Sequence, residues 1–316
     1  MEPRAVPLYP AECGDELLYR IWDVQYACQQ LVAPDEPIPD RGETAAYLRS
    51  NPASERRWYW TVGDVDGFAE VSVTDGQSTA WLDLYVAPDA RRRGAGRALL
   101  EAAAARAKEQ GCKHLIGEYV EPGAAGFVRA VGAREGTDRL RYSVLRLPLR
   151  TGPVPDVPGY ERVSWTGSAP EELLASYAQA RNAINDAPHD DAVDEERYTP
   201  ERVRDLEADA ARRDRTGYVT VALDPTRTVV AYTEVQVART AGASGFTGDT
   251  AVVAAHRRGG LALWIKDGCL RRLAAQRPDV TRVLTENDVT NAPMLAVNDR
   301  LGFVPSSVRT EAILDL

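Results

Sequence analysis

Apolar residues recur every three to four positions in "DELLYRIWDVQYACQQLV" (15–32) and again in "EELLASYAQARNAI" (171–184). That is the period of a helix with one buried face. The period then drops to two in "WYWTVGDVDGFAEVSV" (58–73) and in "GYVTVALDPTRTVVAYTEVQV" (217–237), each predicting two strands joined by a turn. A further strand, "TAWLDLYV" (79–86) or "FTGDTAVV" (246–253), runs into an arginine–glycine turn and a helix. Each half then continues with a strand, "HLIGEYV" (114–120) or "RVLTEND" (282–288), and a short helix. A final hairpin is expected from "RLRYSVLRLPL" (139–149) and from "SVRTEAILDL" (307–316).

The same element order therefore occurs twice. Between the copies, residues 146–163 hold four prolines and two glycines, the composition of a linker. "VDGFAEVSV" lies over "VVAYTEVQV" and pairs Glu70 with Glu234, an offset of 164. "DLYVAPDARRRGAG" lies over "DTAVVAAHRRGGLA" and pairs Asp83 with Asp249 and Arg91 with Arg257, an offset of 166. Two extra residues in the second hairpin account for the difference. The chain reads as a domain duplication, with domains at 1–150 and 151–316.

Composition narrows the partners. With 44% hydrophobic residues the chain can bury ordinary cores, and its net charge of −9 argues against nucleic acid or an acidic membrane surface. A cationic small molecule suits it better. Lysine occurs only at 108, 113 and 266; arginine supplies the other basic side chains. The four cysteines never form a C-x-x-C pair and read as free thiols in a reducing compartment. His114, His189 and His256 share no ligand spacing, so no metal site is expected. The start "MEPRAVPLYP" has no apolar leader segment, and no apolar run approaches the ~20 residues of a membrane span. A cytoplasmic monomer or homodimer is expected.

The arginine–glycine turns carry the chemistry. A strand that ends in a glycine turn and enters a helix aims unpaired N–H groups and the positive end of the helix dipole at one point. Glycine lets a phosphate approach closely, and neighbouring arginines can add bidentate contacts. Such a turn suits a pyrophosphate. Read alone, either copy is also compatible with a helix start beside a basic surface cluster. Arg91-x-x-Gly94-x-Gly96 and Arg257-x-x-Gly260-x-Ala262 share one spacing, each with a valine five residues before the arginine, Val86 and Val252. Neither fits a G-x-G-x-x-G fingerprint or ends in Lys-Ser/Thr.

Spacing and element order together resemble the GNAT superfamily of N-acetyltransferases, over nearly the whole chain. The tandem arrangement is similar in size to mycothiol synthase. The resemblance implies an α/β (α+β) fold of two tandem GNAT domains, each a mixed, mostly antiparallel sheet flanked by helices. It implies acetyl-CoA as cosubstrate, bound by Val86, Arg91, Arg92, Arg93, Gly94, Ala95, Gly96 and Arg97 in the first half. In the second half it implies Val252, Val253, Arg257, Arg258, Gly259, Gly260, Leu261, Ala262, Asn287 and Asn291. The reaction implied is acetyl transfer to the primary amine of a small molecule; the alternative is a non-catalytic acyl-CoA-binding or scaffold protein. Where many members carry a tyrosine that protonates the leaving thiolate, this chain has Asn298 in the second half and Val128 in the first.

An amine must be neutral to attack a thioester, so a carboxylate base is expected. Glu234 is the first candidate and Asp249 the second, with Glu70 and Asp83 their counterparts. The same four residues also read as solvated strand faces and turn caps. The segment "TENDVTNAPMLAVNDRLGF" has no asparagine-rich counterpart in the first half, so the C-terminal half is expected to be the catalytic one and the N-terminal half a binder of acetyl-CoA. The acidic run "NDAPHDDAVDEERY" (185–198) reads as an exposed loop, and Trp58, Trp60 and Trp264 as core.

Overall fold

The computed structural model describes residues 3–50, 52–120 and 123–316. It forms two compact units that do not follow the chain in two blocks. The N-terminal unit holds residues 1–140, 189–194 and 307–316; the C-terminal unit holds 141–188 and 195–306. A single division at 150 therefore misses two exchanges of chain.

The N-terminal unit contains β1 (Ala5–Leu8), α1 (Asp15–Val32), α2 (Arg41–Arg49), β2 (Glu55–Val62), β3 (Gly67–Thr74) and β4 (Thr79–Val86). α3 (Ala95–Glu109), β5 (His114–Val120) and α4 (Ala125–Ala130) follow. Its strands lie in the order β1-β2-β3-β4-β5, antiparallel except for the parallel pair β4–β5. Alternation along β3 sends Phe68 toward α1, where it meets Leu18, Ile21, Val24 and Cys28. Ala69, Val71 and Val73 face the other way and pack with Leu99, Leu100 and Ala103 of α3. Each large apolar side chain so buried contributes about 1.5–3 kcal/mol. Trp60 belongs to this second core and Trp58 packs at its edge.

The C-terminal unit repeats the scheme with β7 (Glu161–Thr166), α5 (Glu171–Arg181), α6 (Pro200–Arg212), β8 (Arg215–Leu223), β9 (Val229–Ala238) and β10 (Gly245–Val252). α7 (Leu261–Gln276), β11 (Arg282–Asp288) and α8 (Ala292–Leu301) complete it. Strand order is β7-β8-β9-β10-β11, again antiparallel apart from β10–β11. Tyr232 of β9 packs toward α5, and Val235 and Val237 pack toward α7. Trp264 is buried in a core with Leu261 and Ile265.

The closing hairpins do not form. β6 (Arg134–Arg146) and β12 (Val304–Asp315) are single long strands, since neither has a glycine, proline or asparagine at its middle to turn the chain. β6 runs straight out of the N-terminal unit, and its end lies beside β11. There Leu147 N–H donates to the Thr281 carbonyl at 2.8 Å. β12 ends in the N-terminal unit, paired antiparallel with all of β5 from Arg309–Val120 to Asp315–His114.

The acidic run is not a solvated loop over its middle. Asp190 is buried, paired with Arg134 at 3.2 Å and accepting the Thr137 N–H at 3.0 Å. The Arg134 guanidinium holds its carboxyl well below the usual range. Asp194 accepts the Thr79 N–H at 2.8 Å, and Ala192 packs beside Ile116 and Ile313. Carboxylates that cap backbone N–H groups gain more by docking than by hydration. Among the described residues no helix is long and apolar enough to cross a membrane.

One buried charge secures the exchanged β12. Glu36, in the loop between α1 and α2, is 2% exposed and pairs with Arg309 at 2.7 Å. Arg309→Met leaves that carboxylate without its cation and should lower stability by up to about 3 kcal/mol, the partly exposed arginine keeping the loss at the low end for a buried pair. Urea unfolding of the full chain checks the value.

Candidate active site

The two arginine–glycine turns have the same backbone. After β4 and after β10 the chain makes one short 3-10 turn, Pro88–Ala90 or Ala254–His256. Arg91 and Arg257 are extended, and Arg92 (φ 66°) and Arg258 (φ 67°) are both left-handed. Gly94 (φ 90°) and Gly260 (φ 82°) are left-handed again and cap α3 and α7. Neither helix has a side-chain cap at its N-terminus, so the first-turn N–H groups point outward from a concave loop. A non-glycine residue at φ above 0° is costly, and its recurrence at the same place in both copies marks a retained shape.

The conserved-spacing arginines are used internally. Arg91 Nε donates to the Val86 carbonyl at 3.1 Å and Arg257 Nε to the Val252 carbonyl at 2.9 Å, each tying the turn to the end of its strand. Arg257 also pairs with Asp186, and Arg91 reaches the Cys28 sulfur at 3.4 Å. These two side chains brace the loops, while Arg92, Arg93, Arg97 and Arg258 remain as basic residues around them.

Behind each loop the sheet opens. β4 pairs with β5 only from Thr79 to Trp81, and β10 pairs with β11 only at Gly245 and Phe246. The remaining residues of β4 and β10 leave their parallel neighbour, which frees one backbone edge. β10 also carries a bulge between Thr247 and Thr250. In the C-terminal unit this opening meets a cavity of about 520 Å³. Its walls include Thr250, Ala251 and Val252, the loop residues Arg257, Arg258, Gly260, Leu261 and Ala262, and Asn291 at the head of α8. Val253 N–H is already spent on the Val230 carbonyl at 2.9 Å.

The asparagines divide. Asn291 caps α8 by accepting the Met294 N–H at 3.3 Å and also borders the cavity. Asn298 is 1% exposed, buried against α7. Its Oδ1 accepts from Lys266 Nζ at 2.8 Å and its Nδ2 donates to Asn287 Oδ1 at 2.6 Å. Burial among neutral partners lowers the Lys266 ammonium to about 7. Sequence reasoning missed this lysine, although a third Lys in an arginine chain, set among Trp264, Ile265 and Cys269, was the available signal.

Glu234 and Asp249 come together on the face of the sheet that α5 covers, and Arg181 lies between them. Its guanidinium is 3.2 Å from Asp249 and 3.8 Å from Glu234. It stacks over Tyr198 at 4.1 Å, with Tyr177 and Tyr232 each at 5.8 Å. The Tyr198 and Tyr232 hydroxyls both donate to the same Asp249 oxygen at 3.4 Å, and Gln236 donates to Glu234. Burial raises the Glu234 carboxyl against the pull of Arg181. Arg181 was also missed, yet it falls on the buried stripe Leu174, Tyr177, Ala178, where a charge requires a partner.

The N-terminal counterparts differ. Glu70 and Asp83 are direct partners across β3–β4, so both project to the face covered by α1 and α2. Glu70 is 4% exposed and accepts from Tyr47 OH at 2.7 Å. Arg57 comes from β2, 2.6 Å from Glu55 and 3.7 Å from Glu70, with its guanidinium over Tyr47. Among the described residues no arginine comes within ion-pair distance of Asp83; the Tyr85 hydroxyl donates to it at 3.4 Å, and burial raises its carboxyl against the longer-range pull of Arg309 and Arg57. It reaches solvent from one side and is walled by protein on the others.

Burial, reinforced by Asp83, pushes the Glu70 carboxyl up to about 8. A carboxyl raised on folding is protonated in the folded chain while the unfolded one is ionised. Stability should therefore fall as pH rises from about 4.5 to about 8, by at most about 1.4 kcal/mol per pH unit from this group. Tyr47, Tyr59, Arg57, Glu55 and Asp83 surround it and set the midpoint. Urea unfolding at pH 5.5 and 7.5 should show a smaller difference for Glu70→Gln than for the wild type; an unchanged difference would assign the pH dependence to another group.

Comparison with known proteins agrees with this geometry. The acetyltransferase (GNAT) family matches residues 18–132. A tandem GNAT protein from the clavulanic acid biosynthesis pathway is 27% identical, with 99% of this chain and 98% of that one covered at a TM-score of 0.83. A GCN5-related N-acetyltransferase from Sphaerobacter thermophilus shares the fold at 17% identity and a TM-score of 0.74, over 99% and 95% of the two chains. None of the curated proteins compared matches the chain. Duplicated loops, twin strand openings and a similar protein aligned from end to end agree: residues 18–132 match the acetyltransferase (GNAT) family, and the chain as a whole resembles a tandem GNAT protein.

Proposed function

We propose that the protein transfers an acetyl group from acetyl-CoA to the primary amine of a small molecule in the cytoplasm. The observation that carries this reading is the pair of identical helix-capping loops, each set where two parallel strands part. A loop of outward N–H groups at a helix start suits a pyrophosphate. The parted strands leave an extended backbone edge, suited to an amide-bearing arm. In the C-terminal unit both features border one cavity of about 520 Å³, a volume ordinary for small-ligand sites. Beside each opening lies a pair of carboxylates and several tyrosines, surroundings that draw a cationic amine. The net charge of −9 works in the same direction.

The chemistry is undemanding for the protein. The amine must lose a proton before it attacks, which a nearby carboxylate can accept. The departing thiolate is a tolerable leaving group, with a thiol pKa of about 8.5, so a dedicated acid at Asn298 or Val128 is dispensable. A second reading, a protein that binds acyl-CoA without turning it over, is favoured for the C-terminal unit by Arg181, which already engages both carboxylates there.

Gly260 tests the cofactor assignment. A valine there would be strained at φ 82° although no atom lies within 4 Å of its Cβ, so the loop would shift and its N–H groups with it. Each charge-assisted bond lost costs about 1.5–3 kcal/mol, or roughly 10- to 150-fold in affinity. With Gly94→Val in place to silence the first loop, Gly260→Val should weaken acetyl-CoA binding in calorimetry by at least tenfold. Unchanged affinity would overturn the loop assignment. Thiol release from acetyl-CoA with polyamines, aminoglycosides and amino sugars tests the transfer itself.

A further inference from the structure

The carboxylate pairs of the two units are equivalent in sequence, although Glu70 and Asp83 are direct cross-strand partners while Glu234 and Asp249 sit at the β9–β10 bulge. In the C-terminal unit Arg181 fills the space between Glu234 and Asp249 and is enclosed by Tyr177, Tyr198 and Tyr232. It is 8% exposed, and its Nε is buried without a hydrogen-bond partner. The guanidinium is thus held by charge and aromatic faces more than by a complete set of hydrogen bonds. Such a box of carboxylates and rings is what recognises an alkylammonium or alkylguanidinium ligand. Here the ligand belongs to the chain.

In the N-terminal unit no arginine sits between the two carboxylates; Arg309 acts on Asp83 only at longer range and is paired with Glu36 and Glu118. Laying Leu17-Leu18 over Leu173-Leu174 puts Gln25 where Arg181 stands. The arginine that is present, Arg57, approaches from β2 and is held by Glu55, on the side of Glu70 away from Asp83's open edge. Asp83 lies on the part of β4 that has left β5, three residues before Val86 and the phosphate-type loop. Tyr59 lies directly across from Glu70 with its hydroxyl buried beside the Arg57 guanidinium. Glu70, protonated near neutral pH, can donate a hydrogen bond.

We propose that the acceptor amine binds at Asp83 in the N-terminal unit, beside Glu70 and Tyr59, and that Arg181 fills the equivalent cation seat of the C-terminal unit. The proposal rests on the N-acetyltransferase reading above and reverses the half expected to be catalytic from sequence. The acceptor class is a small primary alkylamine that enters as its ammonium ion. Asp83 takes one proton from the ammonium, and the neutral nitrogen attacks the thioester carbonyl. The C–N bond forms as the C–S bond breaks. The nitrogen's second proton goes to the departing CoA thiolate, and Asp83 returns its own to water. The C-terminal unit keeps an acyl-CoA cleft but offers an amine no free carboxylate.

The experiment compares variants of the full chain by amine-dependent thiol release from acetyl-CoA. Asp83→Asn should lower turnover by roughly 10²–10⁴-fold with acetyl-CoA affinity retained, whereas Asp249→Asn should cost less than tenfold. In the Asp83→Asn background, adding Arg181→Ala should restore release at least tenfold, because Asp249 becomes available. A loss from Asp249→Asn equal to or greater than that from Asp83→Asn would overturn the proposal. Methylguanidinium gives a readout free of catalysis: in the Asp83→Asn background, which disables the N-terminal seat, it should raise the melting temperature saturably only when Arg181→Ala is added. An equal response of Asp83→Asn with and without Arg181→Ala would mean that Arg181 does not fill the seat. Should Arg181→Ala fail to fold, the two aspartate variants still decide which unit takes the amine. If no amine releases thiol from the wild type, the acetyl-transfer reading fails, and the methylguanidinium titration still judges Arg181.

Discussion

The parting of one parallel strand pair in each unit is the constraint on which the other features depend. A parallel ladder that stops after two or three residues leaves backbone edges that must be satisfied by something other than the sheet. In both copies the departing strand then ends in a left-handed turn and a helix N-terminus, a second set of unpaired donors. Opening and loop follow one another within a few residues of β4 and of β10. Any ligand that satisfies one is brought to the other, and a phosphate-bearing molecule with an amide-bearing arm has both complements.

Buried arginines are handled in two ways around these openings. Arg91 and Arg257 turn back onto the carbonyl that ends their own strand and stiffen the loops from beneath. Arg57 and Arg181 instead neutralise carboxylates on the opposite face of the sheet. Charges enclosed this deeply persist only where each has its partner. The units differ in what meets each pair: Arg181 of α5 lies between Glu234 and Asp249 at a bulge, whereas Arg57 of β2 reaches Glu55 and Glu70 but not Asp83.

Exchange of chain between the units has an equally local origin. β6 has no glycine, proline or asparagine at its middle, so it continues straight, and β5 is paired by β12. Glu36 and the segment 189–194 then use buried carboxylates to hold the imported pieces, through Arg309 and through backbone N–H groups of β4 and β6. These contacts are polar and directional, which sets the register of a strand that hydrophobic alternation alone would leave free to slip by two.

The local order of elements was legible in the sequence because it depends on period. α1 begins and ends with the apolar stripe 15–32, and β4, β5 and β11 coincide with their alternating segments. α2 and α6 were not read from the sequence, although the Asp40–Glu43 capping box and Thr199 before Pro200 were available signals. The loops were legible too, since glycine spacing dictates backbone angles whatever surrounds it. What a carboxylate meets across the fold has no period. Glu234 and Glu70 occupy equivalent positions in nearly the same local sequence, yet one faces an arginine from a helix and the other a tyrosine from a helix and an arginine from a strand. Their charge states follow from those long-range neighbours and from the loss of water around them, which only the packed tertiary structure determines.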